Sequence, residues 1–341
     1  MIARLWALLI ALFSTGLAPI DVGPTPLAEQ SQAACTSCHT REGKEWHASR
    51  HGQAWSNAIF QREYRQRPLD WCVHCHAPLK DQLAEVHAGG PAPLAAEGVT
   101  CAVCHLRDGH IVAVRHRARS PHETIVDEGF GSPAFCGGCH QFNFPLVDEG
   151  RVVGYSPYPM QATVAQHAAG PYAGVPCRGC HANEGAGHRF PGAHDPAMLQ
   201  KALAWSACRS GATVELTVRN VGAGHNVPTG DVHRHIVVRA WRPTAPEQLF
   251  ESVLTRRFRS VEGGAKEVTS DTTIPPAGSR VIAVPLDSLG AATESLSVEL
   301  RYVYTIDEFP SESQALAEPS WQTISQRSLT VAALPVCSTA R

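Results

Sequence analysis

Methionine is nearly missing from this chain. Three of its 341 residues are Met, one of them the initiator, so a metal site built on thioether sulfur has little to draw on. Charge is also sparse: Asp, Glu, Lys and Arg make up 18%, with 29 basic against 31 acidic residues. That balance lacks the basic footprint of a nucleic-acid binder, and nucleic acid is excluded as a partner. A hydrophobic share of 43% excludes a disordered chain. Long apolar runs are missing too. The longest, Leu5 to Phe13, is too short to span a bilayer comfortably.

That run sits in a recognisable setting. Arg4 precedes it and the small residues Ser14 to Ala18 follow, the layout of a secretory signal. Pro19 fits poorly just after a cut at Ala18, so cleavage after Ala28, or retention of residues 1–28 as a weak membrane anchor, stays open beside a buried N-terminal helix. No nearby cysteine suggests a lipoprotein. The mature protein is expected in the periplasm or otherwise exported, on the oxidising side.

Against these shortages stand twelve cysteines and eighteen histidines. A chain this long does not need disulfides to hold together, so these residues read first as ligands or attachment points. Ten of the cysteines fall into five copies of one pattern: Cys35-Thr-Ser-Cys38-His39, Cys72-Val-His-Cys75-His76, Cys101-Ala-Val-Cys104-His105, Cys136-Gly-Gly-Cys139-His140 and Cys177-Arg-Gly-Cys180-His181. This is the attachment signature of a c-type haem. Two thiols on one side of a short turn add to the two vinyl groups, and the next imidazole reaches the iron from the proximal side. Zinc ribbons and redox dithiols also use C-x-x-C, but neither requires the histidine, and five repetitions exclude chance. Five covalent haems c are therefore the expected cofactors, with His39, His76, His105, His140 and His181 as proximal iron ligands.

Cys208 and Cys337 stand outside the pattern. In an oxidising compartment a disulfide between them is the simplest outcome, restraining the unfolded chain by about 4 to 5 kcal/mol; two unpaired buried thiols are the alternative.

The chain changes character along its length. From Cys35 to His181 the motifs recur every 29 to 41 residues with few alternating apolar runs. The macrocycles must then form much of the core, and secondary structure should be sparse short helices. Further helices are expected over Thr163 to Tyr172 and Pro196 to Ser206. Gly98-Val99-Thr100-Cys101 and Gly174-Val175-Pro176-Cys177 lead into their motifs alike, a partial repeat. Beyond Cys208, Thr213 to Val218, His235 to Trp241, Ser279 to Leu286, Leu296 to Tyr304 and Leu329 to Ala333 alternate with period two. The fold class is thus a mainly irregular, sparsely α-helical multihaem domain at 29–207, followed by an antiparallel β-sandwich at 208–341. Inside the latter, the loop Gly222 to Gly230 places His225 at a glycine-flanked turn.

Five of the thirteen remaining histidines would complete five irons. His47 and His51 lie four apart in the stretch Lys44 to Trp55, which reads as helical, so both could approach one haem. His74 is constrained inside its own motif, His87 lies in a Gly/Pro linker, His110 follows a turn, and His233 and His235 share a strand face.

Several stretches carry a family likeness: Trp46-His47-Ala48-Ser49-Arg50-His51, Cys75-His76-Ala77-Pro78-Leu79, Gly98 through Gly109, Phe135 through Phe142, His188-Arg189-Phe190-Pro191-Gly192-Ala193-His194-Asp195, and the Gly222 to Gly230 loop. In these the chain resembles the multihaem cytochromes c related to the tetrahaem cytochromes of nitrifying bacteria, in a pentahaem branch with a C-terminal strand-rich domain. The resemblance implies distal ligands at His51, His122, His188, His194 and His225. His167 stands where relatives usually carry a tryptophan, and His116 precedes His122, so both stay open as ligands.

Bis-histidine ligation closes the iron to small molecules and gives low potentials, so a chain of one-electron carriers is expected and no catalytic residue is assigned. Met160 and Met198 are expected to pack in the core. Each oxidised haem with ionised propionates adds about one negative charge, which favours salt-sensitive encounters with basic patches on redox donors and acceptors. A membrane quinol oxidoreductase or an outer-membrane conduit are candidate partners. The competing readings are a reductase of a nitrogen or sulfur oxyanion with one open haem, and a subunit of an extracellular electron conduit. The absence of any C-x-x-C-K motif counts against the reductase.

Overall fold

The computed structural model describes residues 18–115, 120–183, 187–261, 266–290, 294–305 and 320–338. The expected signal region from Met1 to Leu17 and the candidate ligand His116 lie outside the described residues. The chain divides into two compact units. The first takes in the described residues up to Pro159 together with Val175–Pro191; the second takes in Met160–Gly174, Gly192–Ser260 and the described residues from Lys266 onward. No helix among the described residues is long and apolar enough to cross a membrane.

In the first unit the helices are short: α1 Leu27–Gln30, α2 Gln32–Thr36, α3 Thr40–His47, α4 Ala58–Gln66, α5 Asp70–His76, α6 Lys80–Ala88, α7 Pro93–Ala96, α8 Cys101–His105 and α9 Pro133–His140. Local caps start several of them. Asn57 accepts from Phe60 N–H and Ser132 from Phe135 N–H, with Pro133 preset for the first turn. Gly89, at φ 69°, ends α6 in the left-handed conformation that a residue with a Cβ adopts reluctantly. His87 therefore lies inside α6 and not in a linker, and its Nε2 meets Asp70 at 2.7 Å. The expected helix from Lys44 to Trp55 stops at His47, because Ser49 Oγ donates to the Trp46 carbonyl and turns the chain.

Short strands follow: β1 Leu106–Arg107, β2 His110–Ala113 and β3 Ile125–Val126 form one small sheet, and β4 Gln141–Asp148 pairs with β5 Arg151–Ala162. Apolar packing in this unit is thin. Among the described residues, its buried apolar side chains gather as Val22, Leu79, Ala102 and Val103, and as Val73, Ala77 and Ala95. The segment leading into α1 belongs to the first cluster. Ile20 N–H donates to Pro78 O, Lys80 N–H to Ile20 O and Gly109 N–H to Val22 O.

Helix α10 Thr163–Ala168 belongs to the second unit, α11 Cys177–His181 to the first, and α12 Pro196–Ala202 to the second. The expected helix over Pro196 to Ser206 ends at Ala202. From Leu203 the chain is strand β6, Leu203–Ser210, which pairs along its length with β7, Thr213–Asn220. The remaining strands are β8 His235–Arg242, β9 Ala245–Leu254, β10 Arg256–Ser260, β11 Lys266–Asp271, β12 Ser279–Pro285, β13 Ser295–Val303 and β14 Trp321–Thr330. The last expected strand, Leu329 to Ala333, is the end of β14 followed by a 3-10 turn over Val331–Ala333. His233 lies in the turn before β8, so it does not share a strand face with His235.

Two antiparallel sheets result, ordered β12-β7-β6 and β14-β13-β8-β9, beside a separate β10-β11 hairpin. Period two decides what each sheet buries. Ile282 faces Leu216 and Trp205 faces Val218 in the first; Leu300 faces Val238 and Val298 faces Ala240 in the second. All of these buried side chains meet in a single cluster of twenty-three residues. Cys208 of β6 and Cys337 are joined as a disulfide closing 129 residues.

Candidate haem centres

Each C-x-x-C-H motif is wound into a helical turn, and in four of the five the histidine is the last residue of its helix: His76 in α5, His105 in α8, His140 in α9 and His181 in α11. The helical rise brings the two cysteines to one side and leaves the imidazole at the C-terminal end. Thr100 and Pro176, which precede the third and fifth motifs, are both extended N-caps, so the two similar leading segments share a local conformation.

Three of these imidazoles have a fixed tautomer. Nδ1 of His76 meets Ala54 O at 2.7 Å, Nδ1 of His105 meets Val112 O at 2.9 Å, and Nδ1 of His181 meets Pro191 O at 2.7 Å. A carbonyl can only accept, so Nδ1 carries the hydrogen and Nε2 keeps its lone pair for a metal. None of the ten motif cysteines is paired in a disulfide. Residues of this type, spacing and tautomer fit covalent haem c.

The distal side can be tested by ring geometry. Two imidazoles on opposite sides of one metal, each Nε2 about 2 Å from it and each ring centre about 1 Å further back, have centroids about 6 Å apart. The structure places His122 at 6.0 Å from His39, His188 at 6.2 Å from His105, and His51 at 6.3 Å from His140. Three of the five expected distal ligands thus lie 6.0 to 6.3 Å, ring centre to ring centre, from a motif histidine. Burial is the main cause that lowers the pKa of His51, to about 4, and also pulls down His105, His140 and His188. All four imidazoles are accordingly neutral at pH 7, the form that binds iron.

The segment around His51 shows how the sequence builds this. Trp46 Nε1 donates to Val99 O at 2.7 Å, and Val99 N–H donates to His51 O at 3.0 Å. Ser49 is buried, its Oγ donating to Trp46 O and accepting from Gly52 N–H. Gly98, at φ 66°, lies so close to His51 O that a Cβ there would come within 2.7 Å of it. The stretch ending in His51 and the one leading into Cys101 therefore clasp each other. His47, on α3, is exposed. Phe190, at φ 45°, lays its ring edge-on to His51 at 4.9 Å, and the next residue supplies the carbonyl that orients His181.

The other candidates lie in the second unit. Asn220 Nδ2 donates to His225 O at 2.8 Å and to Ile274 O at 3.2 Å, while its Oδ1 accepts from Ala223 N–H. This braces the glycine-flanked loop, and His225 Nδ1 meets Asn226 O at 2.9 Å. His167 is buried nearby, its ring carbon 3.0 Å from where a Cβ on Gly224 would stand. His194 stacks on Tyr304 at 3.9 Å, and its Nε2 faces Arg234 Nη1 at 3.2 Å. Arg234 thus occupies the ring nitrogen through which His194 would bind a metal.

Sequence reasoning missed the partners that orient these rings, above all Glu45. Its Oε2 accepts from His188 N–H at 2.9 Å. Thiols of different motifs also come together: Cys35 interacts with Cys101, Cys75 with Cys139, and Cys136 with Cys177.

Residues 34–106, which hold the first three motifs, match the family model for cytochrome c554 and c-prime. No curated protein matches the chain. Among solved structures, a penta-heme cytochrome c552 from Thermochromatium tepidum matches with a TM-score of 0.69 at 18% identity, over 90% of this chain and 100% of that one. Together these support a multihaem cytochrome c. At that identity the structural match speaks for the fold, and the family match and the five motifs speak for the haem.

Proposed function

We propose that this protein is an exported pentahaem c-type cytochrome that carries electrons through low-potential, mostly bis-histidine haems. The observation that carries the reading is the set of three imidazole pairs, each with one motif histidine, whose ring centres lie 6.0 to 6.3 Å apart. When bound, haem supplies a one-electron iron couple at each site. The chain does the rest. Ten thiols fix the groups in place, and Nδ1 contacts orient three of the proximal rings, those of His76, His105 and His181. His225 and one of His167 and His194 are proposed for the two remaining irons. Donors and acceptors are redox proteins with basic contact patches, a membrane quinol oxidoreductase among the candidates.

The finer likeness to the tetrahaem cytochromes of nitrifying bacteria belongs to this proposal, as does reading the two sheets as the layers of a sandwich. Residues 20–22 pack into the first unit, which favours signal cleavage after Ala18 over cleavage after Ala28. The test is electron paramagnetic resonance of the purified holoprotein. Five low-spin ferric signals that ignore nitrite and hydroxylamine are expected; a high-spin signal that shifts with either of them would overturn the carrier in favour of a reductase.

A further inference from the structure

The second unit contains a small, open cleft whose lining includes Gln166, Thr229, Asp231, Arg234, Arg256 and Thr273. Its two arginines differ from others in the same unit. Arg239, Arg259 and Arg301 each pair with a carboxylate at 2.6 to 2.8 Å. Arg234 and Arg256 are held by neutral partners instead. Arg234 Nη1 faces His194 Nε2 at 3.2 Å, with its guanidinium 5.2 Å from the Tyr304 ring centre. Arg256 donates to the Met160 carbonyl and lies 4.9 Å from the Phe258 ring centre.

Asp271 stands opposite Arg256 across the β10-β11 pair and partly offsets its charge, while one oxygen of each nearby carboxylate is engaged by other groups. Asp271 Oδ1 accepts from both the N–H and the hydroxyl of Thr273, and Asp231 Oδ1 accepts from His233 N–H. The hydroxyls of the cleft are also taken, Thr229 bonding Gln166 and Thr163. Two guanidinium groups are thus fixed in one cleft without a carboxylate in contact among the described residues, and burial pulls the pKa of Arg256 below its usual value. A partly desolvated cation held rigid by neutral groups is preorganised for an anion, and a planar guanidinium matches an oxyanion in shape.

We propose that Arg234 and Arg256 form an oxyanion-binding site in the strand-rich unit, one that takes a carboxylate or an inorganic oxyanion. Two sources offer that chemistry: a propionate of a bound haem, or a free anion such as nitrate or sulfate. Only the first depends on the haem reading.

The experiment uses the holoprotein and the variants Arg234→Gln and Arg256→Gln, with Arg327→Gln as control, since Arg327 also stacks on a ring, that of Trp205, outside the cleft. Nitrate and sulfate are titrated while the thermal midpoint is followed, and each haem potential is measured against pH. For a free anion, the wild-type and control midpoints rise saturably and either cleft variant weakens the apparent affinity about tenfold or more. For a propionate, added anions do nothing, and the cleft variants shift one haem's potential and its pH dependence while the control does not. Arg256→Lys, which keeps the charge but loses the fork, should fall between wild type and Arg256→Gln, and guards against a folding defect. Cleft variants that match the control in both measurements would overturn the site.

Discussion

The backbone N–H of His188 donates to Glu45 Oε2 at 2.9 Å, and the same oxygen lies 3.9 Å from His188 Nδ1. Gly187, at φ 53°, makes the approach possible, because a Cβ there would collide with that carboxylate. A carboxylate behind a ligating imidazole increases its donor strength and favours the ferric state. Glu45→Gln keeps the backbone hydrogen bond and removes the charge. One haem potential should rise by tens of millivolts, roughly the scale on which about 59 mV is a tenfold change for one electron. The protein should stay low-spin; spectropotentiometry checks both.

Trp46→Phe tests the clasp around His51. It leaves the Val99 carbonyl without the indole donor while keeping most of the ring volume. A loss of about 1 to 3 kcal/mol is expected, the cost of an unsatisfied buried acceptor. His51→Ala should convert one haem to high-spin. The double variant should show no greater loss of low-spin signal than His51→Ala alone, because the clasp acts through that ligand.

Glu299 gives the strand-rich unit a defined acid limit. Burial raises its pKa, but hydrogen bonds from Arg301 and Thr323 and the charges of Arg301 and Arg239 outweigh this and hold it below the usual range. A carboxyl with a depressed folded pKa contributes stability at pH values above its unfolded pKa, about 4.3, and loses it as pH falls through the folded value. Glu299→Gln should therefore lower stability at pH 7 and flatten the loss below about pH 4. Denaturation midpoints across that range will show whether the acid limb belongs to this residue.

Removal of the Cys208–Cys337 link should act on the second unit. Cys337→Ser is expected to lower its unfolding free energy by up to about 4 to 5 kcal/mol on the chain-entropy estimate. The low-spin haem spectrum should be unchanged at temperatures where that unit stays folded. Non-reducing peptide mapping that finds both thiols free in the wild type would remove the premise.

The cofactor attachments were legible because the chemistry repeats within five residues. The imidazole pairing was not. His39 and His122, His105 and His188, and His51 and His140 are each more than eighty residues apart, so only the fold brings them together. Local pattern also misled at Leu203 and Trp205. Their spacing extends the apolar side of α12, yet they alternate equally well as a strand, and pairing with β7 decides it. The β4-β5 pair escaped notice because Pro145, Pro157 and Pro159 interrupt it, which a two-stranded ladder tolerates, both strands being edges. Its signal was the turn Glu149-Gly150, where both residues have positive φ.

The contacts between thiols of different motifs bear on the order in which this protein is made. Cys35 with Cys101, Cys75 with Cys139, and Cys136 with Cys177 are neighbours in the folded chain. Under the proposed export to an oxidising compartment, such neighbours would invite cross-links that each consume a haem attachment point. Cys208 and Cys337 need that same oxidation. Biosynthesis must therefore modify the motif thiols, or shield them, before the first unit closes, while leaving the last two cysteines open to an oxidant.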